Sequence, residues 1–171
     1  AQHQLDYREY ESIGGTGTSY DCSFSMLNSR QPYRSQRTNP KPFVQGPQTA
    51  VVVGPSGDEI YTDKYGRVKV QFHWDREGGK NENSSCWIRV SHPWAGKNWG
   101  MVEIPRIGQE VVVSFLEGDP DRPLIIGSVY NADNSPPYSL PDNKTQSGIK
   151  SRSLLGAADD ANELRFEDKK G

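Results

Sequence analysis

The chain has 171 residues, 33% of them hydrophobic, at a mean hydropathy of -0.82, which is little apolar material for one large self-contained core. Twenty basic and 22 acidic side chains leave a formal charge of -2, so the basic footprint that nucleic acid or an anionic membrane requires is missing. Seventeen Gly and twelve Pro favour a turn-rich all-β protein; no apolar run has the length of a membrane span, no basic-then-apolar leader is present, and the ends at Ala1 and Gly171 read as those of a fragment.

Residues 1–42 are polar, and only Tyr20–Met26 alternates large and polar side chains with the period of a half-buried strand. A single strand cannot stand alone, so this segment reads as the tail of a domain whose remainder is elsewhere. Pro32, Pro40 and Pro42 then force an extended connector.

Residues 43–130 read as one small barrel. Val68, Val70, Phe72 and Trp74 are expected inward, with Lys69, Gln71, His73 and Asp75 outward. Cys86, Ile88 and Val90 alternate with Trp87, Arg89 and Ser91. Val111, Val113 and Phe115 alternate with Val112, Ser114 and Leu116, so this strand is apolar on both faces and needs cover from outside as well as inside. Leu124–Val129 is also nearly all apolar, and Gly118, Pro120 and Pro123 supply a hairpin loop between the two. Five strands with one wide connection, from Ser91 to Gln109, fit a five-stranded OB-fold barrel.

Residues 131–147, with three prolines, read as an extended linker. In residues 148–171, Leu164 and Phe166 alternate with Glu163, Arg165 and Glu167, again a strand with one apolar face and nothing in the chain to cover it. Self-association satisfies these faces together. The expectation is an obligate homo-oligomer with contacts at Trp87, Val112, Leu116, Leu164 and Phe166.

Residues with chemical potential point elsewhere than catalysis. Asp119 and Asp121 flank Pro120 and read as turn formers rather than a glycosidase pair, as do Asp58 with Glu59 and Glu167 with Asp168. His3, His73, His92, Cys22 and Cys86 lack the short spacing of a metal site, and the two cysteines, far apart in a chain without a leader, read as reduced. Trp74, Trp87, Trp94 and Trp99 interleave with Lys69, Arg76, Arg89 and Lys97 as a stacking surface would, but acids share the same loops. Gly54-Pro55-Ser56-Gly57 is a hairpin turn, and the connection Pro93–Trp99 is expected to be packing material. No catalytic, cofactor-binding or metal-binding residue is assigned.

PFVQGPQTAVVVGPSGDEIYTDKYGRVKVQFHWDREG, followed in order by SSCWIRVSHPWAGKNWG, IPRIGQEVVVSFLEGDPDRPLIIGSVYN and NKTQSGIKSR, closely resembles the VgrG spike proteins of bacterial type VI secretion systems. The resemblance is dense from Pro42 to Gly171 and weaker before it. It implies a homotrimer whose base sits on a tube of stacked Hcp hexamers, with an OB-fold collar at 43–130, a descent at 131–147 and the start of a triple-stranded β-helix needle at 148–171. Residues 1–42 would be the end of the base domain and its connector. A PAAR-repeat protein would tip the needle, and effectors or their adaptors would travel with it. The spike would form in the bacterial cytoplasm, leave through the type VI apparatus and puncture membranes only transiently. Related phage spikes carry a lysozyme domain between collar and needle; the short linker here has no room for one. The alternatives are a monomeric OB-type module for oligonucleotide or oligosaccharide, and a spike with an effector enzyme beyond Gly171.

Overall fold

A computed structural model describes residues 2–6, 19–157 and 159–170, which fall into two compact units, Ala1–Pro40 and Lys41–Gly171. Among the described residues there is no α-helix.

In the first unit, β1 (Gln2–Asp6) pairs antiparallel with β2 (Ser19–Ser23), with His3 opposite Cys22. The expected lone strand thus has a partner inside the chain. The alternation from Tyr20 does not carry through to Met26: the strand stops at Ser23, and Phe24 and Met26 are exposed. A two-stranded ribbon offers no second layer to bury them.

The second unit holds β3 (Gln48–Val53), β4 (Lys69–Phe72), β5 (Arg89–Val90), β6 (Glu110–Phe115) and β7 (Pro123–Val129) in one sheet of order β4-β3-β6-β7-β5. The β3 strand pairs antiparallel with β4 and β6, placing Ala50 opposite Phe72 on one side and Val111 on the other. A parallel contact of two residues joins β5 to β7. Reciprocal bonds then close the sheet, from Val68 N to Ile88 O (3.0 Å) and from Ile88 N to Val68 O (2.8 Å). The result is the curled five-stranded sheet of an OB-fold. Its core is Ala50, Val52, Val68, Val70, Ile88, Val111, Val113 and Ile125, mostly β-branched residues that pack well on a pleated surface.

Two inward-outward expectations fail near the end of β4. The ladder stops at Phe72, the chain turns at His73 and Trp74, and Trp74 is 65% exposed, stacked on Phe72 with its indole N–H donated to Gln48 Oε1 (2.9 Å). Gln71, expected outward, is 5% exposed because the loop after Trp74 folds over it. Its Nε2 donates to Asp75 O (2.9 Å), and a Cβ on Gly78 would meet the Gln71 amide at 2.1 Å, so a larger residue there requires the buried Gln71 side chain to shift. Between β6 and β7, Leu116 leaves the strand for a 3₁₀ turn, Leu116–Gly118, and Phe43 packs where a Gly118 Cβ would lie. A bulge between Val112 and Val113 shifts the register so that Ile125 is buried and Ile126 exposed.

Beyond the barrel, β8 (Gln146–Lys150) pairs antiparallel with β9 (Glu163–Glu167). One chain supplies a two-stranded sheet here.

Candidate functional site: assembly surfaces of the barrel and hairpin

The β8–β9 hairpin has two unlike faces. Ile149 lies opposite Leu164 and Ser147 opposite Phe166, so Ile149, Leu164 and Phe166 share one side, exposed by 65%, 58% and 56%. The other side carries Gly148 opposite Arg165, Gln146 opposite Glu167 and Lys150 opposite Glu163. Tyr138 backs this polar side, its hydroxyl 2.6 Å from where a Gly148 Cβ would stand. Burial, with Glu163 nearby, raises the Tyr138 hydroxyl pKa above its ordinary value. Glu167 accepts from Thr145 Oγ1 (2.6 Å), Gln146 Nε2 (3.1 Å) and Lys169 N (2.8 Å), and these bonds hold its carboxyl below the usual range, Thr145 contributing most. On the polar face Glu167 is thus bonded within the chain, whereas the apolar face is open. Ile149 is the member that periodicity in β9 alone does not reveal, because it sits in a short strand begun by the polar pair Gln146 and Ser147.

The barrel's candidate contacts are less free. Trp87 is half-buried: its ring lies 4.9 Å from Tyr61, and Lys69 Nζ stands 5.0 Å from the ring centroid, a cation–π distance. Val112 and Leu116 are also half-buried, and Leu116 N donates to Arg122 O (3.0 Å). Trp87, Val112 and Leu116 belong to the barrel and Leu164 and Phe166 to the hairpin, and no strand pairing joins the two sets among the described residues. The connection around Trp94 is not interior packing. Gly96 N bonds Trp99 O and Met101 N bonds Trp94 O, each at 2.9 Å, forming a small turn whose Trp94 and Trp99 rings meet edge to face at 5.2 Å and are 58% and 59% exposed.

The acids make contacts within the chain. Asp119 and Asp121 share the Lys41 ammonium (2.7 and 3.1 Å), and Val44 N donates to Gly118 O (2.8 Å), so this loop clamps the chain where it enters the barrel. The Lys41 hydrogen bond is the main reason that the Asp119 carboxyl lies below its usual range, and Asp119 in turn is the main reason that Lys41 lies above its own. Glu110 is lowered chiefly by Asn131 Nδ2 (2.8 Å) and by Thr49. Asn131 Oδ1 accepts from Asp133 N and Asn134 N, fixing the barrel's exit.

Of the residues considered for metal, His3 and Cys22 lie opposite each other in the β1–β2 pair, and His73, His92 and Cys86 belong to the barrel unit. His73 Nε2 is 3.1 Å from Thr49 Oγ1, His92 Nδ1 accepts from Glu103 N (3.4 Å), and Cys86 is exposed. His3 contributes its backbone to β1, and its side chain lies outside the described residues. Among the described residues no three His, Cys, Asp or Glu side chains converge. A cleft of about 390 Å³ beside β7 is lined by Ser91, His92, Pro93, Glu103, Gln109 and Ser128, among others, with no Lys or Arg to meet a phosphate.

Residues 48–130, which span the barrel strands, match the Type VI secretion system/phage-baseplate injector OB domain. All of this chain aligns with type VI secretion system spike proteins of Pseudomonas aeruginosa: VgrG1b at 60% identity, over 23% of that protein, and VgrG1a at 59%, over 27%. The actin cross-linking toxin VgrG1 of Vibrio cholerae is 50% identical over 92% of this chain and 14% of its own length. The chain thus spans about a quarter or less of the curated relatives it matches. The barrel, its sequence and the full-length alignment agree, and the chain belongs to the VgrG family of type VI secretion spike proteins.

Proposed function

We propose that this chain is the collar and the first needle segment of a type VI secretion spike, a structural part with a mechanical task. The observation that carries the reading is the exposed apolar face of Ile149, Leu164 and Phe166, opposite the polar face of the same hairpin. Three such faces meeting at one axis bury each other and remove the open edges of a two-stranded ribbon. On this reading the chain is a homotrimer, with 1–42 ending the base, 43–130 the collar, 131–147 the descent and 148–171 the start of a triple-stranded β-helix. Leu164 and Phe166 pack at the axis, and Trp87, Val112 and Leu116 contribute to collar contacts. Hcp at the base, a PAAR-repeat protein at the tip and carried effectors or their adaptors are the partners. The spike assembles in the bacterial cytoplasm and leaves through the type VI apparatus to puncture a target envelope.

Sedimentation of the native-length protein tests this. A mass of three chains that persists on dilution is expected. A stable folded monomer overturns the trimer and favours the OB-type module for oligonucleotide or oligosaccharide. A second reading, a spike that also bears an enzyme after residue 171, is favoured by the relative named as an actin cross-linking toxin, of which this chain covers 14%. The gene sequence beyond that point decides it.

A further inference from the structure

The connection between β8 and β9 returns to the barrel and is held there by polar contacts. Arg106 Nη1 donates to Glu59 Oε2 (3.3 Å), Arg106 Nη2 to Arg152 O (2.6 Å), and Leu155 N to Glu59 Oε1 (3.0 Å). Each Glu59 oxygen has its own partner, and both side chains are only about one-third exposed, Arg106 at 28% and Glu59 at 36%. The barrel fixes them in turn: Ile107 N donates to Glu59 O (2.9 Å) and Arg106 N to Gln109 Oε1 (2.8 Å). Leu155 has φ 54°, a left-handed backbone that is costly for a branched side chain. Leu154 and Leu155 are both exposed, so apolar burial does little to hold the turn. Asn134 Nδ2 donates to Gly108 O (3.0 Å), so the chain touches the same barrel turn on its way out and on its return.

We infer that Glu59 and Arg106 form a mount that fixes the hairpin's turn on the barrel and so sets the direction in which β9 departs. They are positioning residues for the hairpin. Glu59 holds Leu155 in its unfavourable conformation through the N–H bond, while Arg106 ties the Arg152 carbonyl to the same carboxylate. Asn134 is the second point of attachment, without which a single tie leaves the hairpin free to swivel. The mount is read from one chain; its use in aiming a needle rests on the spike function proposed above.

Amide hydrogen exchange on the full-length protein tests the mount. Glu59→Ala should speed exchange at Leu155 by about tenfold or more, the loss of a charge-assisted bond, while Val52, Val70 and Val113 stay protected. Glu59→Gln keeps an acceptor for Leu155 N–H and should fall between. In a Leu155→Gly background the left-handed cost is gone, and Glu59→Ala should then change exchange at position 155 less than in the parent. Unchanged protection of Leu155 in Glu59→Ala overturns the mount, as does an equal effect in both backgrounds. Should Glu59→Ala expose the barrel amides as well, Arg106→Lys, which keeps the charge and loses the fork, carries the same test at the turn. Sedimentation separates the two ideas. A trimer with an unresponsive Leu155 sinks the mount alone, and a monomer with a responsive Leu155 sinks the spike reading alone.

Discussion

In the barrel, Val52, Val70, Val111 and Val113 turn inward and lose all contact with water, whereas in the hairpin Ile149, Leu164 and Phe166, set by the same period of two, stay more than half exposed. The local rule is identical and the outcome differs because of strand number. Five strands curl far enough to close on themselves and make an inside. Two cannot, and a ribbon's apolar face stays open until something else covers it. On the function proposed above the barrel is a stability element and the hairpin an association element, although each strand pattern taken alone describes the same half-buried strand.

The closed core of the barrel is the most sensitive place in the molecule. Ile125→Asp places an uncompensated carboxylate in the closed core and should cost several kcal/mol, enough to abolish a cooperative denaturant transition. The paired substitution Leu164→Asp with Phe166→Asp should do the reverse: the barrel's melting stays near the parent's, and sedimentation loses the oligomer. Equal assembly of that variant would remove the hairpin from the interface.

A smaller effect sharpens the barrel side. Gly78→Ala forces a Cβ against the Gln71 amide and should destabilise the barrel by roughly 1–3 kcal/mol, read by urea denaturation. The hairpin side has no such glycine-bound lid over its apolar face, and its assembly should be indifferent to this change.

The smallest effect is electrostatic. The Asp119 pKa is depressed in the folded chain, so its contribution is present above the ordinary carboxylate range and fades as pH falls through the depressed value. Lys41 is raised, so its contribution is present below the ordinary lysine value and fades as pH rises through the raised one. Asp119→Asn should flatten both limbs of a stability–pH curve, by a small amount because Lys41 is exposed and salt screens the pair.

Most of the barrel is legible in the sequence because β-branched runs and turn residues fall at regular intervals, and Val68, Val70, Ile88, Val111 and Val113 all sit where alternation puts them. The failures share a cause: alternation says nothing about where a ladder stops. Trp74 continues the inward series on paper, but the chain has already turned at His73, and the indole lies outside. Gln71 is outward in phase and yet buried, since the cover comes from a loop whose Asp and Gly residues signal a turn but not its destination. Leu164 and Phe166 are readable as an apolar face from β9 alone. Their neighbour Ile149, and the Glu59 and Arg106 contacts to residues 152 and 155, depend on contacts distant in sequence that no local pattern encodes. The relatives add what physics cannot, since a free apolar face states that something covers it without stating what.

The closure of the barrel has a mechanical consequence. Every other antiparallel ladder in the sheet spans at least four residue pairs, but the join between Val68 and Ile88 is a single bridge of two hydrogen bonds. A closed sheet pulled apart across its strands parts first at the join held by the fewest bonds. We expect the barrel to open like a seam at this join when pulled, and Ile88→Pro, which deletes one of the two bonds, to lower the rupture force in single-molecule stretching. An unchanged rupture force would place the weak line elsewhere.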